Sequence, residues 1–129
     1  MSGLRISEDS SSEEVLPFAK MVHELLSLPV TMRSKNKKGV RLEQGKVIDR
    51  DYTGPVLEEA LVKNSVIHTI PDKGEYKGIP VVVVPIQDRE GNPVAAIGIV
   101  DVVSTIDLAS VFGNYPQIVR QVEERKSTI

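Results

Sequence analysis

The sequence predicts an α+β domain: an antiparallel sheet of roughly five strands with helices packed against it. Three observations carry that expectation. Residues 79–86 and 94–103 are two apolar runs rich in β-branched residues, joined by Gln87-Asp88-Arg89-Glu90-Gly91-Asn92-Pro93. This is the pattern of a β-hairpin, with residues 80–87 pairing against 93–103 around a turn at 88–92. Between residues 30 and 51, strand-like pieces are broken by Asn36-Lys37-Lys38-Gly39 and Gln44-Gly45, two turn signals. The links between these pieces are short, which suits antiparallel neighbours and not parallel crossovers.

Taken in order, residues 1–12 are serine-rich and acidic, offer little to bury and are expected to be flexible, ahead of a single domain over 13–129. Ser12, followed by Glu13 and Glu14, is a helix start. Val15, Phe18, Ala19, Val22, Leu25 and Leu26 then share one helical face, and the helix ends near Leu28-Pro29. Two or three antiparallel strands follow. Asp51 or Thr53 caps a second helix with Pro55 in its first turn, Val56, Leu57, Ala60 and Leu61 on its buried face, and Asn64-Ser65 at its end. Residues 66–70 read as a strand and 71–78 as a polar loop. The four consecutive valines at 81–84 require cover on both faces of their strand. After Val103, Ser104, Thr105 and Asp107 open a further helix, interrupted at Gly113-Asn114-Tyr115-Pro116. Residues 117–126 complete a terminal helix carrying Ile118, Val119 and Val122.

A chain of 129 residues with 40% hydrophobic and 26% charged residues fits one soluble domain. Its formal charge of −2 offers no overall attraction to nucleic acid or to an anionic membrane. The lack of cysteine excludes disulfides, thiol nucleophiles and thiolate metal sites. Neither a signal-peptide core nor the roughly 18 apolar residues of a membrane span is present, so a cytoplasmic protein without a membrane partner is expected.

The stretch Gly78-Ile79-Pro80-Val81-Val82-Val83-Val84-Pro85-Ile86, with Asp88, Gly91 and then Ala96-Ile97-Gly98-Ile99-Val100-Asp101, resembles the terminal hairpin of PAS-like and Cache-like sensor domains. Over most of its length the chain is similar to a family of small stand-alone archaeal proteins of undefined function, found largely in methanogens. The resemblance implies a PAS-like or profilin-like fold and a cupped ligand site. In Cache-like relatives an acid near the end of the last strand contacts the ligand, and Asp101 is the matching position. No flanking membrane span, kinase, cyclase or methyl-accepting segment accompanies it here, so an autonomous cytosolic module is expected.

Alternation places Asp101 on the strand face of Ala95, Ile97, Ile99 and Val103, where a carboxylate needs a partner. It either binds a ligand or caps the following turn at Ser104 and Thr105, and the local role is favoured. Gly98 removes volume in mid-strand, for close packing in preference to a ligand. His68, in a predicted strand, and His23, on a helix, form no metal-site spacing and read as structural or surface residues. Arg33, Lys35, Lys37, Lys38 and Arg41 lack interleaved aromatics and read as a solvated hairpin tip.

No GxSxG, HExxH, P-loop or dinucleotide pattern occurs, so no catalytic or metal residue is assigned and no cofactor is identified. The leading expectation is a small-molecule-binding or sensory module. Its pocket is expected to be bordered by His68, Tyr76, Gly98 and Asp101, with Tyr52 and Tyr76 in loops across the opening. A homodimeric interaction scaffold without ligand is the alternative, and dimerisation is expected through the terminal helix and the doubly apolar central strands. A small enzyme using His68 and Asp101 as acid and base comes third.

Overall fold

The computed structural model describes residues 3–101. Eight elements run in the order α1 (Ser12–Leu26), β1 (Val30–Ser34), β2 (Gly39–Glu43), β3 (Lys46–Tyr52), α2 (Pro55–Lys63), β4 (Ile67–Thr69), β5 (Val81–Gln87) and β6 (Pro93–Val100). The strands form one sheet of six in the order β3-β2-β1-β6-β5-β4, and every neighbouring pair is antiparallel. The α+β class and the antiparallel sheet are as expected. The strand count is six and not five, because the turns at 36–39 and at Gln44-Gly45 each close a hairpin and so cut residues 30–52 into three strands.

The central hairpin pairs as its sequence requires. Val81 faces Val100, Val83 faces Gly98 and Ile86 faces Ala95. Asp88 holds the turn: its carboxylate accepts from the Glu90 and Asn92 amides, and Gly91 supplies the left-handed residue at φ 86°. Strand β6 stops at Val100, short of the expected Val103, although the Asp101 amide still donates to the Pro80 carbonyl at 2.8 Å.

Two helices cover opposite faces of the sheet. Helix α1 starts at a capping box in which Ser11 and Glu14 exchange side-chain and backbone hydrogen bonds, one residue before the expected cap. It buries Val15 and Ala19 against Val30, Met32, Val40, Leu42 and Ala95. Helix α2 lies on the other face, packing Val56, Leu57, Ala60 and Leu61 against Tyr52, Val81, Val83 and Ala96. Its N-cap is Gly54 and not Asp51 or Thr53. The Thr53 hydroxyl is committed elsewhere: it accepts from Arg33 Nη1 at 2.7 Å and donates to Glu58 at 2.7 Å.

Within the N-terminal segment, residues 8–10 have tertiary partners. The buried Ser34 hydroxyl donates to the Ser10 carbonyl at 2.7 Å, and the Asn36 amide donates to the Glu8 carbonyl at 2.9 Å. The helices expected after Val103, with Ile118, Val119 and Val122, lie outside the described residues.

Candidate functional site

In an antiparallel ladder directly paired residues share a face, so the register sorts every candidate side chain. Thr31, Val83 and Gly98 stand opposite one another across β1, β6 and β5, with Val81, Val100 and Arg41 on the same face, the one α2 covers. His68 pairs with Val82, which pairs with Ile99, which pairs with Val30, and these lie on the α1 face. The predicted site residues therefore divide. Tyr52, Tyr76 and Gly98 come together on the α2 face, whereas His68 and Asp101 lie on the other side of the sheet. The expected common border is corrected by parity: Gly98 and Asp101 are three residues apart, and an odd offset along a strand points to opposite faces.

On the α2 face a pocket opens between the sheet, the first turn of α2 and the loop after β4. Gly98 and Thr31 form its floor, Val81 and Val83 one side, Gly54 to Leu57 another, and Pro71, Lys73, Glu75 and Tyr76 its rim. The cleft is narrow. Its cavity has a volume of about 30 Å³. Gly98 is closely packed as well as exposed to this space, since an added methyl would come within 2.8 Å of Val83 Cγ2 and 3.2 Å of the Thr31 hydroxyl.

The rim is held by charge. Arg41 donates to Glu43 at 3.1 and 3.2 Å and to the Tyr76 hydroxyl at 3.3 Å, while Tyr76 donates to Glu43 at 2.8 Å and Glu75 lies 3.7 Å from the same guanidinium. Arg41 also sits 5.6 Å from the Tyr76 ring centroid. Arg33 is likewise drawn in, bonded to Thr53 and 3.5 Å from Glu58. The expectation of a solvated basic tip thus holds for Lys35, Lys37 and Lys38 but not for Arg33 and Arg41, whose side chains are only 12% and 20% exposed. Alternation alone could have placed Arg41, because Val40 and Leu42 on either side of it face α1.

On the α1 face Asp101 is buried, and His68 Nδ1 lies 3.6 Å from its carboxylate. That nitrogen is buried without a hydrogen-bond partner among the described residues. The Ser104 and Thr105 cap suggested for Asp101 falls outside them. His23 is structural: one ring nitrogen meets the Leu28 carbonyl at 2.6 Å and the other accepts from the Gly45 amide at 2.8 Å. Among the described residues no group of three or more His, Asp or Glu side chains is placed to hold a metal ion, and no helix is long and apolar enough to cross a membrane.

This arrangement of sheet, pocket and His68–Asp101 pair falls almost wholly inside residues 22–103, which match the profile of a family described as an uncharacterized protein conserved in archaea, DUF2111. The chain is a DUF2111 protein. A similar chain, "Uncharacterized protein MJ0405" from the methanogen Methanocaldococcus jannaschii, is 49% identical over 104 residues, covering 80% of this chain and 79% of that one. The archaeal family expected from the sequence is therefore the right one.

The DUF2111 pocket has a testable electrostatic signature. Burial pushes the Tyr52 and Tyr76 phenols above their usual value of 10.0, Tyr76 further than Tyr52. Both keep their protons in the folded chain where the unfolded chain loses them. Stability is thus intact below about pH 10 and lost as the pH rises beyond it. Urea midpoints measured across that range should fall more steeply for the wild type than for a Tyr52→Phe, Tyr76→Phe double variant. Parallel profiles would show that the two phenols are not shielded.

Proposed function

We propose that this protein is a cytosolic small-molecule-binding module of the sensory kind, and that the α2-face pocket is its ligand site. One observation carries the reading: a cleft walled by valine, proline and tyrosine, floored by a glycine in mid-strand, and rimmed by a loop tied down through Tyr76 and Arg41. An apolar concavity with a few inward polar groups is the usual form of a small-ligand site. The antiparallel sheet cupped by a helix also supports the PAS-like or profilin-like resemblance of its central hairpin. His68 and Asp101, on the other face, are not part of this site. An acid–base role for them has less support, since neither lines the pocket.

A thermal-shift screen of small metabolites on the full chain tests the proposal. A ligand at 100 times its dissociation constant adds about 2.7 kcal/mol when it binds only the folded state. Val100→Phe, which fills the pocket from β6, should abolish that shift. Equal responses of the two proteins would move the site elsewhere. Silence of the wild type throughout would favour the second reading, a homodimeric scaffold. That reading has one observation of its own: Met21 and Leu25 on the outer side of α1 are 54% and 76% exposed. Sedimentation across a wide concentration range would then show the dimer.

A further inference from the structure

The polar side chains of the pocket are three hydroxyls, one lysine and one carboxylate, among the described residues. Thr31 and Tyr52 line it, are only 8% and 6% exposed, and their hydroxyls make no hydrogen bond with any described residue. Neither hydroxyl is fully enclosed, so both are open to a partner that enters the cleft. The Tyr52 hydroxyl sits against the start of α2, where a methyl on Gly54 would meet it at 2.7 Å. That start is itself open: Gly54 offers no side-chain cap, Pro55 has no amide hydrogen, and the Val56 and Leu57 amides find no acceptor among the described residues. The positive end of a nine-residue helix therefore faces the same space as the two hydroxyls. Among the described residues Lys73, at the rim, has no ion pair, and the one carboxylate lining the pocket, Glu75, is engaged by Arg41.

We propose that the pocket takes a small monocarboxylate with a branched or aromatic apolar body, its carboxylate held by the Thr31 and Tyr52 hydroxyls at the open N-terminus of α2. This rests on the reading of the pocket as a ligand site and names the class of ligand. The apolar body lies against Val81 and Val100 toward the mouth of the cleft, since Val83 and Thr31 already cover Gly98. A carboxylate supplies acceptors for both hydroxyls and for the orphan amides, and its charge suits the helix end and Lys73. An amide of the same shape loses the charge. An amine places a cation at the positive end of α2 and beside Lys73.

The test compares three probes of one shape on the full chain, isovalerate, isovaleramide and isopentylamine, read by thermal shift and by NMR titration. Isovalerate alone should bind. Thr31→Val and Tyr52→Phe should each weaken it about tenfold, the loss expected for one hydrogen bond to a charged group. Without ligand, both variants should melt no lower than the wild type, because each removes a hydroxyl that bonds no described residue. Binding of the amide or amine as tightly as isovalerate would overturn the carboxylate assignment while leaving the pocket a ligand site. If none of the three binds, the assignment also fails, and the wider metabolite screen then decides on the pocket itself. Variants that melt lower and bind isovalerate unchanged would show the two hydroxyls to be structural, which likewise overturns it.

Discussion

Replacing Gly39 by alanine should destabilise the protein by about 3 kcal/mol or more, the upper range for forcing extra volume into packed structure. Gly39 begins β2, and a methyl built on it would lie 1.7 Å from the Met32 carbonyl oxygen and 2.6 Å from the Arg33 Cα. Both are backbone atoms of β1, which is bonded to β2 on one side and β6 on the other. The obstacle cannot rotate away as a side-chain tip would. Relief requires β1 to shift, and with it Met32, which is fully buried in the α1-side core. Gly45 is the control, since it has a left-handed φ of 77° but nothing within 4 Å of an added methyl. Gly45→Ala should cost only the backbone strain, about 1–2 kcal/mol. Urea unfolding of both variants checks this, and a Gly39→Ala midpoint near that of Gly45→Ala would show that the strands are less closely apposed.

The hairpin was legible because its information is local. The β-branched runs, the Asp88 turn and the left-handed Gly91 all lie within residues 79–103, and each agrees with the others. The same holds in full for α2, where apolar spacing singles out the buried Val56, Leu57, Ala60 and Leu61, and in part for α1, where Val15 and Ala19 are buried but Leu25 and Leu26, expected on the same face, are 76% and 46% exposed in the last turn. Cap positions were less legible. Thr53 is a good capping residue by type, yet its hydroxyl is claimed by Arg33, 20 residues earlier in the chain, a contact that exists only once β1 and α2 are docked.

The site was half legible. Tyr52, Tyr76 and Gly98 do line one cleft, but Asp101 cannot share a face with Gly98, since the period of the strand itself sets them on opposite sides. Nothing in the sequence around Thr31 announces that β1 will lie beside β6, some 65 residues away, with Thr31 opposite Gly98. Arg41 was hidden by its neighbours in sequence, a run of lysines, when its decisive neighbour is Tyr76, 35 residues later. Such long-range pairings are fixed by the closing of the whole sheet, and local pattern carries little of that.

The second large effect is expected at His23. Replacing it by alanine should cost about 2–4 kcal/mol, from two lost hydrogen bonds of about 1 kcal/mol each and the space its buried ring leaves behind. The Gly45 amide can only donate, so Nε2 must be the acceptor at 2.8 Å and the ring proton must sit on Nδ1, where it donates to the Leu28 carbonyl at 2.6 Å. One neutral imidazole thereby ties the end of α1 to the entry of β1 and to the β2–β3 turn. The consequence reaches the pocket, because Leu28 is followed by Pro29, which forms part of its wall. His23→Ala should therefore lower the urea midpoint, remove the exchange protection of the Gly45 amide and broaden the resonances of Pro29 and its neighbours. The tautomer can be read directly from the ring nitrogens by long-range proton–nitrogen correlation, with Nδ1 protonated and Nε2 bare. A proton found on Nε2 would contradict the Gly45 bond, and a His23→Ala protein as stable as the wild type would show that the imidazole fills space without joining these segments.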